Sequence, residues 1–327
     1  MAADAPRSLL ERRIVIVTGK GGTGKTTVAA ALAVAAARAG KRVLVAETAQ
    51  DEQISRLLAP GSPPAGYPGR AVMPGIGAMR IDPFEALTEY LVLQIGIRPL
   101  VQTVMRNHAF RQLMSASPGW RELITLGKIW HLEQMEEPPG RPRYDLIVVD
   151  APATGHGVTF LDVPRVVVSA VRGGALHQHT ERVEALIEDP ERTLLLPVTT
   201  AEELPTRETA ELVERLRSDI GIAVDRVVVN SVVPSPFPEG LAHLDEALRR
   251  LPDSTPLGAL PPPSTLAACA SYLRARHELN RGFVAEIAHL TRLPIVLLPH
   301  LHRGIEGPSE IETLAGPLVE PPRAEAA

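Results

Sequence analysis

Residues 14–40 read IVIVTGKGGTGKTTVAAALAVAAARAG, and the order of residue types in this stretch decides the fold. Four β-branched residues, Ile14 to Val17, lead into a glycine-rich run and then an alanine-rich segment ending at Gly40, which is the order strand, loop, helix. Gly19, Gly24, Lys25 and Thr26 satisfy G-x-x-x-x-G-K-[ST], the P-loop pattern. Gly19, Gly21, Gly22 and Gly24 allow the backbone to curl. The N–H groups of the run, through Thr23 to Thr27, can then converge on phosphate oxygens at a helix N-terminus whose dipole favours anions. Lys25 is expected to reach the β- and γ-phosphates of ATP, and the Thr26 hydroxyl to hold Mg²⁺. Of 34 basic residues only Lys20, Lys25, Lys41 and Lys128 are lysine, and two of these lie in the loop. An arginine-using chain has kept a compact ammonium there, where a planar guanidinium would not serve.

Working outward, Lys41 to Glu47 reads as a second strand and Ala59 to Gly77 as a Pro/Gly-rich loop. From Pro83 to Glu137 apolar residues such as Leu87, Leu91, Ile95, Val101 and Met105 recur at helical spacing. YDLIVVD, 144–150, is a continuous apolar run ending in a carboxylate, as a central parallel strand would be. Asp150 is therefore expected to orient Mg²⁺ and its waters. Further strand candidates are 192–198, 225–231 and 294–298, separated by helical patterns at 206–220 and 265–290. Alternating strands and helices imply right-handed crossovers and an α/β fold: a doubly wound, mostly parallel sheet of P-loop NTPase type with an inserted all-helical subdomain. The expected division is core in 1–82 and 138–315, helical insertion in 83–137, and a disordered tail in 316–327.

Composition removes several function classes. With 327 residues, 45% hydrophobic and 22% charged, the chain can bury a large core. A formal charge of −4 gives no global reason to bind nucleic acid, and none is expected as a partner. The single cysteine, Cys269, cannot build an intrachain disulfide or a thiolate metal cage. No apolar stretch approaches the roughly 20 residues that cross a bilayer, so the expected compartment is cytoplasmic.

GKGGTGKTT resembles the deviant P-loop of the family that contains ParA, MinD, the nitrogenase iron protein and the ArsA-type ATPases. That resemblance implies that the extra lysine, Lys20, contacts phosphates across a nucleotide-sandwich dimer. DAPATGH, opening at Asp150, is similar to the switch II segment D-T-A-P-T-G-H of the ArsA arsenite-pump ATPases and of the related ATPases that guide tail-anchored membrane proteins. IDPFEALTEY (81–90), PGWREL (118–123), VVVN (227–230) and PHLHRGIE (299–306) resemble further elements of that family, in the same order. By this resemblance Asn230 contacts adenine, Pro299 and Arg303 belong to an adenine loop, and His156 supports switch II. The implied protein is a Mg²⁺-ATP-dependent switch, a homodimer or a heterodimer with a paralogue. It would bind a hydrophobic client segment or a membrane protein through its helical subdomain.

Departures from the family pattern keep other readings open. The family's switch I, D-P-A-H-x-x-x-D, ends in an aspartate that positions the attacking water, but Arg56 aligns there in ETAQDEQISRLL. Glu47, Asp51 and Glu52 are the nearby carboxylates, and Asp51 is taken as the catalytic candidate beside Lys20, Lys25 and Asp150. The family's arsenite-binding cysteines and its C-x-x-C clasp are both missing. Met105, Met114, Met135, Trp120 and Trp130 could line a client groove or fill a helical core. Rival functions are a ParA/MinD-like positioning ATPase and a catalytically weak regulatory subunit paired with a paralogue.

Overall fold

The computed structural model describes residues 8–117, 119–170, 173–235, 237 and 243–320; of residues 154–159, 175 and 219 only the backbone is described. Pro118, which opens PGWREL, lies outside the described residues, as does the side chain of His156.

Eight strands form one sheet: β1 Ile14–Thr18, β2 Val43–Glu47, β3 Arg70–Met73, β4 Ile76–Arg80, β5 Leu146–Asp150, β6 Thr193–Thr200, β7 Val227–Val232 and β8 Ile295–Pro299. Their spatial order is β3-β4-β2-β5-β1-β6-β7-β8, with every neighbouring pair parallel except β3 with β4. Each central strand buries both faces because helices cover both. Ile14 and Ile16 face one large apolar cluster while Val15 and Val17 face the other, and Ile147 and Val149 alternate with Leu146 and Val148 in the same way. Helix α1 (Lys25–Arg38) is buried from Val28 through Ala36, between the sheet and α12 (Pro308–Val319). Its alanines let both neighbours approach closely.

The opposite face carries α7 (Thr154–Ala170), α8 (Ala175–Glu188), α9 (Glu203–Arg215) and the long α11 (Pro263–Thr291). Two short helices, α2 (Ile54–Leu58) and α10 (Leu244–Arg249), complete the core.

The insertion is α3 (Pro83–Ile95), α4 (Arg98–Arg106), α5 (His108–Ala116) and α6 (Trp120–Gln134). Asp82 starts α3 by accepting N–H bonds from Phe84 and Glu85, with Pro83 in the first turn. Asn107 restarts the chain as α5 by capping Phe110 N–H. A small core of Leu87, Val101, Met105 and Trp120 holds the four helices, and Phe84 meets Trp120 edge-on at 4.8 Å. Buried Glu133 ties α6 to the sheet by pairing with Arg13 at 3.3 Å and Arg192 at 2.7 Å.

Two expectations need correction. The span 59–77 is not all loop: β3 and the start of β4 lie within it as an antiparallel edge, hidden by the turn glycines around them. The tail does not begin at 316, because α12 continues through Gly316 to Val319; residues 321–327 lie outside the described residues. Of the two alternatives open for Met105 and Trp120, the structure shows core. The exposed apolar side chains of the insertion are instead Leu93 (64% exposed), Ile95, Ile97, Leu100, Val104 and Leu113 (63%).

Candidate functional site

The connection from β1 runs toward β2 on one side, whereas the connection from β6 runs toward β7 on the other. The crevice between β1 and β6, beyond their carboxyl ends, is thus the topological switch point where open α/β sheets bind ligands. The glycine-rich loop fills it. Gly19 has φ +148°, and a Cβ there would stand 2.1 Å from the Val198 carbonyl oxygen of β6. Gly24, at φ +89°, opens α1, and a Cβ there would meet Asn230 Nδ2 at 2.1 Å. Only glycine leaves both approaches open.

Around the loop the candidate residues fall as follows. Lys25 Nζ donates to the Lys20 carbonyl at 3.1 Å, curled over its own loop. Thr23 bonds the same carbonyl through its hydroxyl at 2.9 Å. The Thr26 hydroxyl donates to Asp150 Oδ2 at 2.6 Å, joining the start of α1 to the tip of β5. Asn230 Nδ2 donates to the Thr23 carbonyl at 2.9 Å, so the end of β7 braces the loop. Pro299 pairs with Val232 at the tip of β8, next to Asn230's strand, and His300 Nδ1 lies 2.7 Å from Ser231 Oγ. Arg303 is exposed in the following turn. Lys20 forms an ion pair with Glu208 of α9 within the same chain.

The three switch I carboxylates sit in different surroundings. Asp51 and Arg56 are exposed. Glu52 is committed to structure, accepting N–H bonds from Ala65 at 2.6 Å and Gly66 at 2.9 Å. Glu47 is the carboxylate set into the site: it ends β2 in register with Asp150 on β5. One oxygen accepts from Gln53 N–H at 2.6 Å and Ile54 N–H at 3.0 Å, holding the first turn of α2. Burial is the main cause that raises its pKa to about 7, opposed by those two N–H bonds and aided by the charges of Asp150 and Glu52. Burial likewise raises Asp150, against the pull of the Thr26 hydroxyl and Lys25, and burial lowers Lys25 despite Asp150.

Glu47 Oε2 and Asp150 Oδ1 are both buried and accept no hydrogen bond. The orphaned oxygen of Asp150, whose other oxygen holds the Thr26 hydroxyl, and that of Glu47, in register with Asp150, are hard donors that suit Mg²⁺, and a divalent cation would offset the burial cost that both carboxylates carry. The residues present therefore fit a Mg²⁺-bound triphosphate. Among the described residues no cluster of three His, Cys, Asp or Glu forms a metal cage. His177 pairs with Glu181 at 3.3 Å.

The profile of the ArsA ATPase family, described as anion-transporting ATPases, matches residues 12–173 and 174–244. This chain belongs to the ArsA family and is an ATPase. Within the family it is 34% identical over 247 residues to ATPase BagA of Mycobacterium tuberculosis, covering 74% of this chain and 72% of that relative. Arsenical pump-driving ATPases of Acidiphilium multivorum and Escherichia coli are each 30% identical over 268 and 234 residues. Those matches cover 73% and 67% of this chain but only 45% and 39% of the pump-driving proteins. No helix among the described residues of this ArsA-family chain is long and apolar enough to cross a membrane.

Proposed function

We propose that the protein is a Mg²⁺-dependent ATPase working in the cytoplasm as a nucleotide-driven dimeric switch, in the manner of the ATPases that guide tail-anchored membrane proteins. Its helical insertion would meet an apolar client segment or a membrane-protein partner. The observation that carries this reading is the sequence position of the insertion. It lies between the Glu47 tip, which holds α2, and the Asp150 tip, which holds Thr26, and its outer side exposes Leu93, Leu100 and Leu113. A charge change between two such anchors can bias the packing of what lies between them.

In this reading the backbone N–H groups of residues 19–27 and Lys25 hold the phosphates, Thr26 and Asp150 hold Mg²⁺, and Asn230, Pro299 and Arg303 flank the base. Mg²⁺ would supply charge neutralisation on the phosphate oxygens. The protein's own groups supply positioning, so turnover is slow until a partner completes the site. Lys25→Ala removes a half-buried charge from the phosphates. It should weaken ATP binding about 100-fold, the equivalent of the ~3 kcal/mol typical of a truncated charge pair. Unchanged ATP affinity in a folded K25A variant, measured by calorimetry, would refute the site.

A second reading, a catalytically weak subunit paired with a paralogue, is favoured by one observation. Arg56, where the family has its water-positioning aspartate, is exposed to solvent, and Asp51 is exposed as well. ATP turnover by the isolated chain separates the two readings.

A further inference from the structure

A cavity of about 200 Å³ opens between α3, α6 and α8, on the seam where the helical insertion meets the core and apart from the phosphate loop. An engineered cavity of ~150 Å³ holds benzene, so this one has room for a single aromatic ring bearing a short polar arm. Its apolar lining includes Ala86, Ile124 and Trp130, with exposed Leu93 at the rim. The His179 ring sits between Tyr90, at 5.1 Å, and Trp130, at 5.2 Å. Gly127 leaves space for it, since a Cβ there would come within 3.0 Å of His179 Nε2.

The charges lining the cavity do not cancel. Glu89 is fully engaged: Lys128 Nζ donates to both its oxygens, at 2.9 and 2.7 Å, Tyr67 donates its hydroxyl, and His131 stands 3.7 Å away. Arg182, exposed at the rim, makes no ion pair or hydrogen bond with any described residue. Burial favours the neutral form of His179, and the charges of Arg182 and His131 act in the same direction.

We propose that this cavity binds a small aryl carboxylate, with the ring against Ile124 and Trp130 and the carboxylate on Arg182 beside His179. A guanidinium suits a carboxylate because its donors match both oxygens, and the apolar walls exclude a bare inorganic anion from the rest of the pocket. The site is separate from the ATPase chemistry and does not rest on the partner reading given above.

The full chain, free of nucleotide, is titrated with phenylacetate, phenylacetamide, acetate and inorganic phosphate while tryptophan fluorescence is followed. The chain has two tryptophans, and Trp130 lines the cavity whereas Trp120 lies in the insertion core. Phenylacetate should give a saturable change, at least tenfold tighter than phenylacetamide, acetate or phosphate. Arg182→Gln, an exposed substitution that leaves the packing alone, should erase the preference for phenylacetate over phenylacetamide. Trp130→Phe should remove most of the signal. The proposal is overturned by no saturation with phenylacetate up to about 10 mM, the range expected for a ligand of this size. It is equally overturned by phosphate or acetate binding as tightly, by an R182Q variant with unchanged preference, or by a W130F variant that keeps the whole signal.

Discussion

A methyl group on Gly19 would collide with a main-chain oxygen of β6, whereas one on Gly22, at φ +84°, would meet nothing within 4 Å. The two glycines therefore separate conformational strain from steric exclusion. G22A should cost about 1 kcal/mol, the cost of a positive φ alone, and G19A roughly 3 kcal/mol or more, because the strand or the loop must move. Denaturant melts of the two variants check this, and equal losses would contradict the close approach. Glu47 makes a prediction in pH. Its folded pKa, about 7, lies above its ordinary 4.5, so the folded chain holds this proton more tightly than the unfolded chain. That contribution to stability is complete below pH ~4.5, falls as pH rises through 7, and then levels off, for a total near ~3 kcal/mol. Glu47→Gln keeps an acceptor for the N–H groups of Gln53 and Ile54 and carries no charge. In EDTA it should match wild type near pH 4.5 and exceed it increasingly up to pH 8. A gap that stays constant across that range would show that the carboxyl is not held protonated.

At the scale of elements, the insertion α3–α6 should answer to the γ-phosphate. Hydrogen exchange in Pro83–Gln134 is expected to differ between ADP and a non-hydrolysable ATP analogue. A response confined to 19–27 would make those helices passive core. β1, α1 and β5 were legible in the sequence because a strand covered on both faces must be a continuous apolar run, and a P-loop constrains what precedes and follows it. β3 was not, because RAVM is four residues long at a sheet edge and surrounded by turn glycines. α7 and α12 carry Pro164 and Pro317 inside them, residues that ordinarily argue against a helix. At the site, the strand–loop–helix order could be read directly. Which of Glu47, Asp51 and Glu52 is buried could not, because it depends on where α2 packs, and neither could the Lys20–Glu208 pair, whose members lie 188 residues apart.

For the whole molecule, the Lys20–Glu208 pair is a contact within one chain, so a lysine meant for a second chain's nucleotide must first leave it. Both side chains are more than a third exposed, which makes the pair weak and easily exchanged for a phosphate. Light scattering with a non-hydrolysable ATP analogue should show the mass doubling, and Lys20→Ala should suppress it. Glu208→Gln should lower the nucleotide concentration needed. A wild-type chain that stays monomeric throughout would end the sandwich model.

The bond from Asn230 to the Thr23 carbonyl spans 207 residues, and the Val198 carbonyl that seats Gly19 also comes late in the chain. During synthesis, then, the phosphate loop is made first and shaped last. At 5–20 residues per second the ribosome delivers Asn230 about 10–40 s after Thr23, and for most of that interval the apolar strand IVIVT has no partner on its β6 side. The newborn chain thus exposes an apolar strand before it can become an ATPase, and its nucleotide cannot act as an early folding template, because the cradle for it exists only when most of the sheet does.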